Sequence, residues 1–251
     1  MKICRVIFST NRPEFLIPTL ESHRKYIDFG EHEVYGIFID DYPQGRDNIQ
    51  IAELAQNYGF NEAVLHEKNL GLTPTWTELW QYLATQDYDY IWHHEDDVVF
   101  QQPIKIQDLI DFLEENKEYC QVNIKRNPWY DFELNQPQIT WQDKFFREYR
   151  YDVRDDYFWT MASLYPAWLT KEPIVETEGC NLAEWPVMKY FKEKHNMKMA
   201  ILKNQDGSNM LEHIGFYSQG KRVEEGEPGW ERFKMFDPNK KYDSKTGVLI
   251  V

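Results

Sequence analysis

The chain has 251 residues, a formal net charge of −14 and a hydrophobic fraction of 42%. That length suits one larger α/β domain, and that hydrophobic content suits a folded core rather than disorder. The negative balance disfavours a broad nucleic-acid or anionic-membrane surface.

The elements read in order as alternating strands and helices. Ile3 to Ser9 is a β-branched and aromatic strand, and Pro13 opens a helix with Phe15, Leu16 and Leu20 at helical spacing. Because polar residues follow it at once, this N-terminal run reads as a strand and not a signal segment. Val34 to Ile39 is a second strand, running into Asp40-Asp41. Asp47 can cap a helix through Ile51, Leu54, Ala55 and Tyr58, which Gly59 ends. Ala63 to His66 is a third strand, and Thr73-Pro74 opens a helix carrying Trp76, Leu79, Trp80 and Leu83. Tyr88 to His94 is a fourth strand, ending at Glu95-Asp96-Asp97. Alternation of this kind implies a parallel sheet covered on both faces, with ligands beyond the carboxyl ends of its strands. The polar clusters fall at those ends. His93 and His94 alternate across the fourth strand, so one is expected toward the sheet interior and the other toward the cleft.

The second half is less regular. Ile106 to Glu115 reads as an amphipathic helix, Cys120 to Ile124 as a strand, and Asn127 to Asp156 as a long, partly ordered excursion. Phe158 to Tyr165 is a possible strand, Glu184 to His195 a helix and Lys198 to Leu202 a short strand, with loop from Asn204 onward. Cys4, Cys120 and Cys180 form no CxxC pair, which suits reduced thiols in a cytoplasmic protein. No apolar stretch reaches the roughly 18 residues a membrane-spanning helix needs. The aromatic content of 16% fits core filling or ring stacking on sugars.

Glu95-Asp96-Asp97 is the strongest chemical signal. Carboxylates beside a core need partners or a cation, and hard oxygen ligands suit Mg²⁺ or Mn²⁺. Alone, such a triplet equally describes a solvated acidic turn.

The ordered series of segments resembles the GT-A nucleotide-sugar glycosyltransferases, near glycosyltransferase family 2. Phe8-Ser9-Thr10-Asn11-Arg12-Pro13 is similar to the first strand and nucleotide-facing turn, and Phe38-Ile39-Asp40-Asp41 to the acidic end of the second. Asn69-Leu70-Gly71 resembles the Asn-x-Gly turn, Glu95-Asp96-Asp97 the DxD-like metal motif, and the stretch from Glu178 to Trp185 the acidic helix start of inverting members. The series covers about residues 3–215. It implies an α/β fold of the GT-A, Rossmann-like kind, a single domain with a mostly parallel central sheet flanked by helices and a more irregular acceptor-side half. The expected division is a nucleotide-sugar half at 1–101, an acceptor half at 102–215 and a C-terminal loop or tail at 216–251.

The resemblance implies a metal-dependent, inverting transfer of one sugar from a nucleotide-diphosphate sugar, UDP-sugar favoured, to a saccharide or other hydroxyl acceptor. Asp97 would bind Mn²⁺ or Mg²⁺ with His213, while Glu95 and Asp96 hold the ribose or a metal-bound water. Thr10, Asn11 and Arg12 would touch base or phosphate, Arg12 being alternatively a helix-start surface charge. Asp40 and Asp41 would contact base or ribose. Asn69 and Gly71 would shape the turn beside the nucleotide. Glu184 would be the general base, with Glu178 its competitor. Trp159, with Tyr157, would line the acceptor floor, and Ser218 and Lys221 would close over the diphosphate. Thr75-Trp76-Thr77 replaces the Ala-Arg-Asn run common in the family, and Glu184 replaces the usual Asp. The absent Gln-x-x-Arg-Trp motif argues for single-sugar transfer. A retaining transferase on the same fold and a non-catalytic sugar-binding protein are the competing readings. A nucleotidyltransferase would begin with a glycine-rich basic loop, which this chain lacks. A modified nucleic-acid acceptor, disfavoured by charge, would need a local groove at Lys125, Arg126, Arg147 and Arg150.

Overall fold

The structure is a computed structural model describing residues 1–10, 12–41, 48–127, 142–147, 149–154, 161–172 and 184–214. Strand β1 (Lys2–Ser9) leads to α1 (Pro13–Tyr26), the short β2 (Ile27–Asp28), β3 (Glu33–Asp40), α2 (Asn48–Asn57), β4 (Glu62–Leu65) and α3 (Leu72–Ala84). β5 (Tyr90–Glu95), β6 (Val98–Phe100), β7 (Ile104–Lys105) and α4 (Ile106–Glu115) follow. The second half supplies β8 (Tyr119–Ile124), β9 (Arg126–Asn127), β10 (Gln142–Phe146), β11 (Tyr149–Arg154), β12 (Ser163–Pro166), helix α5 (Glu184–His195), β13 (Lys198–Lys203) and β14 (Leu211–His213).

Nine strands form the central sheet in the order β10-β11-β13-β8-β12-β5-β1-β3-β4. The β4-β3-β1-β5 side is parallel throughout. Beyond it the sheet is mixed, because β12 runs antiparallel to both β5 and β8, and β11 antiparallel to β13. The chain moves from β1 outward to β3 and β4, then returns to β5 on β1's other side. That reversal opens a crevice at the carboxyl ends of β1 and β5, where parallel α/β sheets bind ligands.

Helical spacing sets the layers. Leu79, Trp80 and Leu83 of α3 pack with Val6, Phe8, Ile91, Tyr165 and the α5 residues Val187 and Phe191 on one face. Leu109, Ile110, Phe112 and Leu113 of α4 cover the other with Trp92, Val122 and Tyr151, while Leu16 and Leu20 of α1 meet Ile7 and Phe38. Trp76, Trp80 and Trp92 are buried, whereas Trp168 is 41% exposed. The described tryptophans therefore mostly fill core. Among the described residues, no helix is long and apolar enough to cross a membrane.

Three expectations are corrected here. The stretch expected as an excursion contains the β10-β11 hairpin, which extends the main sheet through β13. The region expected as loop after Asn204 contains β14, antiparallel to β6 and parallel to β9. His93 and His94 are both fully buried, because β5 is a central strand with cover on both faces. His93 meets the Phe8 ring edge-on at 4.8 Å, and His94 stacks on His23 at 5.0 Å. Burial brings the pKa of each down to about 3, so both are neutral.

Candidate active site

Phe8 of β1 pairs with Glu95 of β5, and Ser9 pairs with Asp40 of β3. The parallel register thus delivers Ser9-Thr10, Asp40-Asp41 and Glu95-Asp96-Asp97 to one end of the sheet. His213 comes from far along the chain. It pairs with Val98 in the β14-β6 ladder, and the Ile214 N–H donates to the Asp97 carbonyl at 2.8 Å. This brings His213 Nε2 to 3.4 Å from Asp97 Oδ1.

Glu95, Asp97 and His213 each offer a ligand atom, and these atoms lie within 4.8 Å of one another. Two carboxylates and an imidazole form a donor set that fits a divalent cation. Glu95, expected beside the ribose or a metal-bound water, lies next to Asp97 and His213.

Asp96 takes a different place from the nucleotide contact expected. Its side chain turns inward and is 1% exposed. It accepts from Ser9 Oγ at 2.9 Å, from the Thr10 N–H at 3.3 Å and from Arg12 Nε at 3.3 Å, and Arg12 Nη2 closes on its other oxygen. Thr19 Oγ1 of α1 donates to the Asp96 carbonyl at 2.7 Å. Burial pushes the Asp96 carboxyl above its ordinary value; Arg12 pulls it back and the Asp97 charge raises it again. Arg12 also donates to Asp97 Oδ2 at 3.0 Å. Burial works against the Arg12 charge, but Asp96 and Asp97 hold its pKa above the usual guanidinium value. Arg12 is thus neither a surface charge nor clear of the acidic motif.

Asp41 organises the neighbouring turn. Its Oδ1 accepts from the Leu70 N–H at 3.0 Å and Thr75 Oγ1 at 2.8 Å and meets His66 Nδ1 at 2.9 Å, while Oδ2 accepts from the Gly71 N–H at 2.8 Å. Gly71 has φ 86° and ψ 162°, and nothing lies within 4 Å of where its Cβ would be. Asn69 is exposed beside it, and Asp40 is buried at the strand end. Residue composition alone signalled neither the inward turn of Asp96 nor the role of Thr75 and His66. Both depend on contacts distant in sequence.

Glu184 is the first residue of α5, and its side chain lies outside the described residues, as do Asn11, Tyr157, Trp159, Glu178, Ser218 and Lys221. Of the residues expected to line a local basic groove, Lys125 and Arg150 both approach Gly207. Arg147 pairs with Asp108 and Asp111 at 2.5 Å each, Lys125 donates to the Gly207 carbonyl at 2.7 Å, and Arg126 is buried. Cys4 and Cys120 are buried free thiols, which burial pushes up to about 12.

The family profile described as Glycosyl transferase family 2 matches residues 5–167. No curated protein sequence matches the chain. Among solved structures, S. aureus TarS 1–349 is similar at a TM-score of 0.53 and 15% identity, over 86% of this chain and 61% of that one. The structure of TarS 1–349 in complex with UDP-GlcNAc is similar at 0.55 and 16% identity, over 90% and 60%. S. aureus TarS is similar at 0.54 and 15% identity, over 85% and 37%. The chain therefore spans about three-fifths of TarS 1–349, and at these identities the likeness is one of fold.

Proposed function

The chain belongs to glycosyl transferase family 2, and on that premise we propose that it is a metal-dependent, inverting enzyme transferring one sugar from a UDP-sugar to a hydroxyl acceptor. The observation that carries this reading is the convergence of Glu95, Asp97 and His213 at the carboxyl end of the central strand. The TarS complex with UDP-GlcNAc, similar in fold, supports a UDP-sugar donor.

Asp97, Glu95 and His213 would hold Mn²⁺ or Mg²⁺, which when bound supplies positive charge beside the departing diphosphate. Arg12 and Ser9 keep Asp96 turned inward, so the acidic turn presents its other two carboxylates to the crevice. Asp40, Thr10, Asn11 and the Asn69–Gly71 turn flank the nucleotide, with Asp41 fixing that turn from behind. Glu184, at the start of α5, takes the proton from the acceptor hydroxyl. The helix dipole favours its ionised form, the state that accepts a proton. The acceptor oxygen then bonds to the anomeric carbon as the bond to the diphosphate breaks on the opposite face. Trp159 contributes to the acceptor floor, and the proposed setting for the reaction is the cytoplasm.

Turnover of a UDP-, GDP-, TDP- and CMP-sugar panel with Mn²⁺ present tests the donor, and product NMR tests the anomeric outcome. The expected result is UDP-sugar turnover with inverted configuration. Asp97→Asn is expected to lower turnover by at least about a hundredfold while preserving the circular dichroism spectrum. Retained configuration overturns the inverting assignment, and near-normal turnover in that variant overturns the metal assignment.

A further inference from the structure

The acidic turn carries a built-in cation. The Arg12 carbonyl accepts the Phe15 and Leu16 N–H groups at 3.0 and 2.9 Å, seating the residue at the N-cap of α1. The Phe15 ring centre lies 5.2 Å from the guanidinium carbon. From this seat the guanidinium engages Asp96 through two nitrogens and reaches Asp97 Oδ2 at 3.0 Å. The other Asp97 oxygen, Oδ1, faces His213 Nε2.

We propose that Arg12 is a positioning residue that sets ion selectivity: by engaging Asp97 Oδ2 it leaves Oδ1, which faces His213, as the oxygen Asp97 offers to the Glu95–Asp97–His213 cluster. The inference rests on the cation site proposed above. A carboxylate held this way serves as a one-oxygen ligand. Small divalent ions accept such ligands in compact octahedral shells, whereas Ca²⁺ takes six to eight oxygens and gains from two-oxygen carboxylates. The charge count agrees: three carboxylates against one guanidinium leave a net −2, which one divalent ion neutralises.

Charge and geometry separate experimentally. Removing the guanidinium charge would strengthen the binding of every divalent ion to a similar degree, because Coulomb attraction depends on charge and distance. Freeing Asp97 Oδ2 would favour Ca²⁺ selectively. Arg12→Lys keeps the charge but replaces a planar fork with one ammonium, which cannot hold two carboxylates in the same way.

Isothermal titration of the full chain with MnCl₂ and with CaCl₂, without donor, reads this directly. Wild type is expected to prefer Mn²⁺, and both Arg12→Lys and Arg12→Gln to narrow the Mn²⁺/Ca²⁺ affinity ratio about tenfold, mainly by tighter Ca²⁺ binding. Circular dichroism checks folding, and Arg12→Lys, which keeps Asp96 neutralised, decides the matter should Arg12→Gln fail to fold. A ratio that stays within about threefold of wild type in the folded variants overturns the role of Arg12 alone. Wild type that binds neither ion overturns the cation site itself, and the selectivity role with it.

Discussion

The Asp41 carboxylate accepts the Gly71 backbone N–H at 2.8 Å, joining the end of one strand to the start of a helix 30 residues later. Gly71 is the N-terminal cap position of α3 and has no side chain to cap with. Asp41 instead holds the residues leading into the helix, accepting the Leu70 and Gly71 N–H groups and the Thr75 hydroxyl of its first turn.

Asp41→Asn tests this arrangement. An amide can accept on one side only, so its NH₂ must face either the Gly71 N–H or the Leu70 and Thr75 donors. The expected loss is about 2–3 kcal/mol, the scale of buried hydrogen bonds to a charged group. Urea unfolding measures it, and a change below about 0.5 kcal/mol would show that the carboxylate charge contributes nothing there.

Two glycines separate strain from crowding. Gly71→Ala introduces no contact within 4 Å but places a Cβ at φ 86°, in a region that is essentially glycine's own. Its expected cost is about 1–3 kcal/mol of backbone strain. Gly36 in β3 has ordinary φ, yet a Cβ there would come within 2.9 Å of the Phe60 Cα. Gly36→Ala is therefore expected to destabilise by displacing the Phe60 segment. Pairing it with Phe60→Ala leaves that cost largely in place, since the obstructing atom is backbone. Full relief in the double variant, read from urea unfolding, would contradict this.

His23 gives a pH dependence. It is 3% exposed, accepts the Trp92 indole N–H at 3.0 Å and packs against Phe29 and Phe100. Burial, then His94 of β5 and Arg5 of β1, lower its pKa well below 6.5. With the folded pKa depressed, the unfolded chain takes up a proton first as pH falls. The contribution of neutral His23 is complete above about pH 6.5 and declines below it by about 1.4 kcal/mol per pH unit. His23→Gln keeps an acceptor for the indole and cannot ionise. Urea unfolding between pH 7.5 and 5 should show a slope shallower by about one proton than wild type; an unchanged slope would mean that His23 does not titrate on unfolding.

The sequence was most readable where one period ran unbroken. Ile106–Glu115 and Glu184–His195 form helices over the residues their spacing marks, and the first four main-sheet strands follow the alternating pattern. Legibility failed where partners are distant or patterns mixed. The β10-β11 hairpin turns through Arg147 at φ 53°, a conformation no glycine advertises there, and its edge position leaves Phe145 66% exposed. His93 and His94 obeyed strand alternation, but alternation separates core from cleft only when one face is open. In the site, the identity of the acidic triplet was plain while its internal division was not. That Asp96 turns inward depends on Ser9, Arg12 and Thr19, which chain order does not place beside it.

The three-residue ladder between β14 and β6 also bears on biogenesis. A polypeptide emerging from the ribosome completes β1 through β6 long before it reaches Leu211–His213. Until that late strand docks, Asp97 lacks its imidazole neighbour, however well the earlier sheet has formed. Closure of so long a loop is entropically slow. Chains that stop short of His213 would thus carry the acidic turn without it, which makes synthesis through β14 a precondition for assembling the centre.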